Sequence, residues 1–171
     1  FCDVSKGSFH DGSHLHPRLA LMVTLVTGAG GFLGAALCRR LFERGESVVG
    51  LWHDDNQRLE TLRAASQHAG SGFHPIQGDI EDPDAWISDM ICLGPIETVF
   101  HLATQPPTPP GVERTTNVEG TLALVRALEN DVTRWINTSS MSVYDFQHPQ
   151  YLPVDEDHPP GPLQAYGEEK L

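Results

Sequence analysis

The sequence predicts an α/β fold built as a doubly wound parallel sheet, and three observations predict it. Short apolar, β-branched runs alternate with longer segments of helical periodicity along the chain. A glycine-rich turn, Thr27-Gly28-Ala29-Gly30-Gly31-Phe32-Leu33-Gly34, joins the first such run to the first helical segment. Gly28, Asp79, Leu102 and Ser140 all fall where apolar runs end, the edge at which open α/β sheets bind ligands.

Residues 22–27 form a continuous apolar run, as a strand buried on both faces requires. Residues 31–44 follow as a helix, with Leu33, Leu37 and Leu41 at four-residue spacing and Gly45 as its stop. The second strand is 47–52, and a helix over 56–68 carries Leu59, Leu62 and Ala65 on one side, ended by Gly70 and Gly72. A third strand covers 73–77. Asp82-Pro83 opens another helix, with proline in its first turn. The fourth strand is 98–103, and the four prolines within 105–113 mark a loop. A helix over 115–129 bears an apolar stripe of Val118, Leu122 and Val125. The fifth strand is 135–139, and 145–163 form a loop rich in proline and acids. Strand–helix alternation of this kind implies right-handed crossovers.

One domain is expected from 171 residues, with 39% hydrophobic and 8% aromatic residues supplying its core. The net charge of −12, from 23 acids against 11 bases, argues against nucleic acid or an anionic membrane as partner. No apolar run approaches the ~20 residues of a membrane span. Cys2, Cys38 and Cys92 show neither metal spacing nor a disulfide framework, and Cys38 reads as a small core residue. A reducing cytoplasm fits this usage. No metal is expected; His10, His14 and His16 cluster, with metal binding as their alternative to a plain polar arm. Residues 1–21 lack periodicity and signal-peptide order, so they read as a non-domain extension preceding a domain over 22–171. The last residue, Leu171, follows Lys170 inside an expected helix, so the chain reads as an N-terminal fragment.

Two constellations carry chemistry. The glycine turn sits between a strand and a helix N-terminus, where unpaired backbone N–H groups and the helix dipole attract anions. Its spacing is Gly28-x-x-Gly31-x-x-Gly34, and glycine lets a pyrophosphate approach the backbone closely. A purely structural turn is the alternative. Far downstream, Tyr166-x-x-x-Lys170 places two side chains one helical turn apart, after the serine-rich segment Ser139-Ser140-Met141-Ser142-Val143-Tyr144. An exposed tyrosine beside a solvated lysine is the plain alternative.

With Gly78-Asp79-Ile80, Val99-Phe100-His101-Leu102-Ala103 and Asn117-Val118-Glu119-Gly120-Thr121, these segments occur in an order that resembles the extended short-chain dehydrogenase/reductase superfamily, in particular the NAD-dependent epimerase/dehydratase family. The resemblance runs from residue 22 to the end of the chain. It implies a Rossmann-like sheet of strand order 3-2-1-4-5, truncated before the last strands and a small substrate domain. It also implies an NAD or NADP cofactor and a homodimer for the full-length protein.

Site roles follow from the same resemblance. Gly28, Gly31 and Gly34 would hold the cofactor pyrophosphate, with the N–H groups of Phe32 and Leu33 as donors; Phe32 has core packing beneath the loop as its plainer role. Asp79 would accept from the adenine amino group, or else cap a turn, and Ile80 would cover the adenine. Leu102, Ala103 and Thr104 would line the channel towards the nicotinamide. Tyr166 would serve as acid or base, because Lys170 and the positive ring favour its phenolate. Lys170 would also bind the nicotinamide ribose, and Ser140, four residues before Tyr144, would orient the substrate oxygen. Asn117 is either a site residue or a local cap.

Three departures refine the resemblance. Trp52 stands where an acid normally binds the ribose hydroxyls of NAD; Asp54 and Asp55 would repel a 2′-phosphate, and the nearest arginine is Arg58, so NAD is favoured over NADP. Asp145 replaces the glycine of the family's Val-Tyr-Gly, and Met141 and Ser142 fill positions that are acidic in its 4,6-dehydratases, which argues against that reaction. The expected function is an NAD(P)-dependent epimerase or oxidoreductase acting on a hydroxyl or keto group, with a nucleotide sugar as one substrate class. A ketone or aldehyde reductase and a non-catalytic dinucleotide sensor are the alternatives. The fragment alone is expected to be inactive.

Overall fold

The computed structural model describes residues 22–53, 58–106, 115–129 and 132–171. His10, His14, His16, Cys2, Asp54 and Asp55 lie outside the described residues. The strands are β1 (Val23–Thr27), β2 (Ser47–Trp52), β3 (Phe73–Gln77), β4 (Ile96–His101) and β5 (Arg134–Asn137). They form one five-stranded sheet of order β3-β2-β1-β4-β5, parallel at every pairing. This is the predicted doubly wound arrangement.

Side-chain alternation along the strands divides the core into two layers. Val23 and Leu25 of β1, with Val49, Leu51 and Val99, pack on one face against Trp86, Met90, Leu124 and Leu128. Val26 and Val48 pack on the other face against Ala35, Cys38, Leu41, Phe42, Leu59 and Leu62. Both faces are apolar, so β1 and most of β2 are buried along their length. Pro75 lies in β3, an edge strand, where a missing N–H is tolerated.

The helices are α1 (Phe32–Glu43), α2 (Arg58–Ala69), α3 (Ile87–Ile91), α4 (Thr121–Leu128) and α5 (Ala165–Glu169). Cys38 is buried in α1 as expected, and burial pushes its thiol up to about 12, which leaves it protonated and inert. Several boundaries shift. The segment opened by Asp82-Pro83 is a 3₁₀ turn over Pro83–Ala85 followed by the short α3. Strand β4 begins and ends two residues before the expected 98–103, and β5 ends at Asn137.

The larger correction concerns the expected helix over 115–129. It is divided into a π-helical turn, Thr116–Gly120, and α4. Both Glu119 and Gly120 donate their N–H to the Thr115 carbonyl. The extra residue in that turn rotates the face. Leu124 and Leu128 enter the core, whereas Val118, Leu122 and Val125 are exposed. A similar phase error affects α1. Its inward residues are Gly34, Ala35, Cys38, Leu41 and Phe42, and Leu33 is 55% exposed.

Candidate functional site

Strand β1 ends beside the C-terminal end of β4, with Thr27 opposite His101. The chain then turns through Gly28, whose φ of +67° is a left-handed conformation that suits glycine. Gly31 donates its N–H to the Gly28 carbonyl at 2.9 Å and caps α1 without a side chain. A Cβ at Gly34 would collide with that same Gly28 carbonyl oxygen, so α1 rests directly on the turn. No acid occupies the first turn of α1. The N-terminal donors of a twelve-residue helix therefore face the space above the turn, with the positive end of its dipole.

That space is a cleft of about 680 Å³, within the size range of small-molecule and cofactor sites. Gly28, Gly31, Phe32, Leu33 and Gly34 form one wall. Trp52 and His53, at the end of β2, stand beside Asp79 and Ile80. Leu102, Ala103, Thr104 and Gln105 form the wall beyond β4, and Thr138 continues it from β5. Phe32 does not pack beneath the loop as its plainer role required. It is 85% exposed, because the helix start tilts its side chain over the cleft and away from the core.

Asp79 makes the turn contacts considered for it. Its Oδ1 accepts the Glu81 N–H at 2.9 Å, and its Oδ2 lies 3.5 Å from His53 Nε2. Ile80 lines the cleft but is largely packed into the core. The Trp52 indole Nε1 is buried without a hydrogen-bond partner among the described residues.

A buried network fixes the floor of the cleft. Thr27 Oγ1 accepts the N–H groups of Leu102 and Ala103 at 3.1 and 3.0 Å. With two donors already received, the Thr27 hydroxyl donates to His101 Nδ1, 2.9 Å away. Thr121 Oγ1 spends its proton on the Asn117 carbonyl at 2.7 Å, so it accepts from His101 Nε2 at 2.9 Å. This bookkeeping assigns His101 as the neutral Nε2–H tautomer. Burial, and then the Lys170 charge, pushes its pKa down to about 4.

Asn117 is not a local cap. Only 5% exposed, it accepts Thr104 Oγ1–H at 2.9 Å and Gln105 N–H at 2.8 Å on Oδ1. Its Nδ2 donates to the Gln105 carbonyl at 3.0 Å and to Glu169 Oε2 at 2.6 Å. Nothing in the sequence pattern marked Glu169 as a partner, because the two residues lie far apart in the chain.

Ser140, Tyr166 and Lys170 stand outside the lining of the cleft but adjoin it. Thr138 lines the cleft, and the next residue, Ser139, donates its hydroxyl to the Lys170 carbonyl at 3.2 Å. A Cβ at Gly167 would collide with the Ser142 carbonyl oxygen, so α5 lies against the turn that follows Ser140. Ser140 Oγ accepts the Ser142 N–H at 3.2 Å. Lys170 is buried to 9% exposure; desolvation lowers its pKa, and the charge of Glu169 opposes that shift. Asp145, the departure from Val-Tyr-Gly, closes a turn by accepting the N–H groups of Gln147 and His148. Those bonds, that of His148 above all, hold its carboxyl below the usual carboxylate range.

Comparison with known proteins gives a consistent picture. The profile of the NAD dependent epimerase/dehydratase family matches residues 24–171. UDP-glucose 4-epimerase of Mycolicibacterium smegmatis is 36% identical over 157 residues, 88% of this chain and 48% of that protein. The same enzyme of Bacillus subtilis is 30% identical over 156 residues, 88% of this chain and 45% of that protein. The crystal structure of UDP-glucose 4-epimerase from Bifidobacterium longum in complex with NAD+ and UDP superposes with a TM-score of 0.73 at 26% identity. That match covers 87% of this chain and 46% of the other. The chain thus spans about half the length of the curated relatives it matches.

Proposed function

The chain belongs to the NAD-dependent epimerase/dehydratase family, and from that premise we propose that it builds the cofactor half of an NAD-dependent epimerase acting on a nucleotide sugar. The similar UDP-glucose 4-epimerases, two of them with solved NAD complexes, support this substrate class and this cofactor. The backbone-walled cleft fits a dinucleotide. Gly28, Gly31 and Gly34 with the α1 N-terminus would hold the pyrophosphate, Asp79 and Ile80 would lie at the adenine, and Leu102, Ala103 and Thr104 would lie towards the nicotinamide. The observation that carries the reading is the contact of Ser139 with the Lys170 carbonyl, one residue beyond the cleft wall at Thr138. It supports a Tyr166–Lys170 pair set beside the proposed nucleotide site.

Bound NAD supplies the hydride acceptor and later donor. The Tyr166 phenolate would take the proton of the substrate hydroxyl as the carbon is oxidised, and return it on reduction. The Lys170 ammonium would stabilise the phenolate and bind the ribose. Ser140 would hydrogen-bond the reacting oxygen and fix its direction. The proposed epimerisation would be redox-neutral overall, so no external oxidant would be consumed. No described helix is long and apolar enough to cross a membrane, and the reading places the enzyme in the cytoplasm.

The test is Tyr166→Phe in a protein completed to its relatives' length. Loss of a positioned acid–base group lowers turnover on UDP-sugars by a factor of about 10²–10⁴. NAD affinity should change less than about threefold. Undiminished turnover would remove Tyr166 from the mechanism; NAD binding with no turnover by the unmutated protein would favour the sensor.

A further inference from the structure

Asn117 is saturated. Its carboxamide has two N–H donors and one oxygen with two acceptor sites, and Thr104, Gln105 and Glu169 occupy all four. Gln105 is gripped at both its N–H and its carbonyl, as a paired strand would grip it. The orientation of the carboxamide matters. Reversed, it would point N–H groups at the Gln105 N–H and an oxygen at the Glu169 carboxylate. Gln105 already selects this orientation through its own N–H and carbonyl, and Glu169 reinforces it from the other side, because a carboxylate accepts hydrogen bonds and cannot donate them. Thr104 and Gln105 line the cleft, while Glu169 shares α5 with Tyr166 and directly precedes Lys170.

We propose that Glu169 is a positioning residue: through Asn117 it locks the Thr104–Gln105 edge of the cleft to α5, which carries Tyr166 and is capped by Lys170. The strut makes the cofactor wall and the phenol–ammonium pair move as one unit. A contact at 2.6 Å to a carboxylate, made by a side chain buried to 5% exposure, is a strong hydrogen bond. Two further ties at this junction reach different groups: Ser139 holds the Lys170 backbone, and Gly167 permits close approach to the serine turn. Neither orients Asn117. The strut itself stands on geometry alone; only its expected effect on cofactor affinity rests on the NAD reading.

The experiment compares the 171-residue chain with its Glu169→Ala, Glu169→Gln, Asn117→Ala and Glu169→Ala/Asn117→Ala variants. Two quantities are measured: hydrogen exchange at the Gln105 amide and the Kd for NAD. Glu169→Ala is expected to speed Gln105 exchange by about tenfold or more and to weaken NAD by about tenfold, the effect of one charge-assisted hydrogen bond. Glu169→Gln keeps an acceptor oxygen and should hold both quantities within about threefold of the parent. The double variant should be no worse than Asn117→Ala alone, because the two residues act in series. Unchanged Gln105 exchange in Glu169→Ala, with NAD still bound by the parent, overturns the strut and leaves the NAD reading standing. Faster exchange in that variant, in a chain whose parent binds no NAD, upholds the strut and overturns the reading. Fully additive single effects would also overturn the strut.

Discussion

At Gly34 a methyl group would meet the carbonyl oxygen of Gly28 with no flexible atom able to yield. Overpacking of this kind costs about 1–3 kcal/mol. Gly34→Ala is therefore expected to lower the denaturant midpoint and to weaken NAD at least tenfold, since α1 must lift from the turn proposed to hold the pyrophosphate. Gly45→Ala is the control. Its φ of +76° imposes strain, but nothing lies within 4 Å of the new Cβ, so stability should fall while NAD affinity is kept. At His101 the prediction is one of pH. Its folded pKa of about 4 lies below the ordinary 6.5, so the unfolded chain binds the proton first as pH falls. Its contribution is complete above pH 6.5 and is lost progressively down to about 4, reaching about 3 kcal/mol. Imidazole NMR shifts should show the neutral Nε2–H form persisting at pH 5.5. A protonated ring at that pH would refute the assignment.

Helix α4 shows what a periodic pattern reveals and what it misses. The stretch was legible as a helix, yet Val118, Leu122 and Val125 face outward because the π-helical turn at Thr116–Gly120 inserts a phase that periodicity ignores. Leu124→Ala should cost about 2–5 kcal/mol in urea unfolding, and Leu122→Ala about 0.5 kcal/mol or less. Equal costs would restore the stripe to the core. Strands β1 and β2 were legible because both of their faces are buried, which leaves continuous apolar runs such as Val23–Thr27. The glycine turn was legible because its chemistry is local. The contacts of Asn117 with Glu169 and of Gly167 with Ser142 were not, since each joins residues that only the folded chain brings together. For Phe32 only the plainer alternative fails: its hydrophobicity suggested burial, whereas its position at the first turn of α1 exposes it beside the cleft.

Choice between NAD and NADP belongs to the whole molecule. In the usual arrangement a carboxylate at the end of the second strand accepts hydrogen bonds from the ribose hydroxyls, a short-range device that salt barely alters. Here Trp52 ends β2, and its side chain offers no such acceptor. On the proposed reading, an added 2′-phosphate would instead meet the field of a chain with net charge −12, with Asp54 and Asp55 following His53 in sequence. Such a field reaches about 10 Å at 0.1 M salt and about 3 Å at 1 M. Discrimination by field must therefore fade with ionic strength. Titration by intrinsic tryptophan fluorescence should give NAD tighter than NADP by about tenfold at 0.1 M, with the ratio falling severalfold at 1 M. A ratio that stays constant across that range would mean that hydroxyl-specific hydrogen bonds make the choice, and that a group other than Trp52 has taken the place of the missing acid.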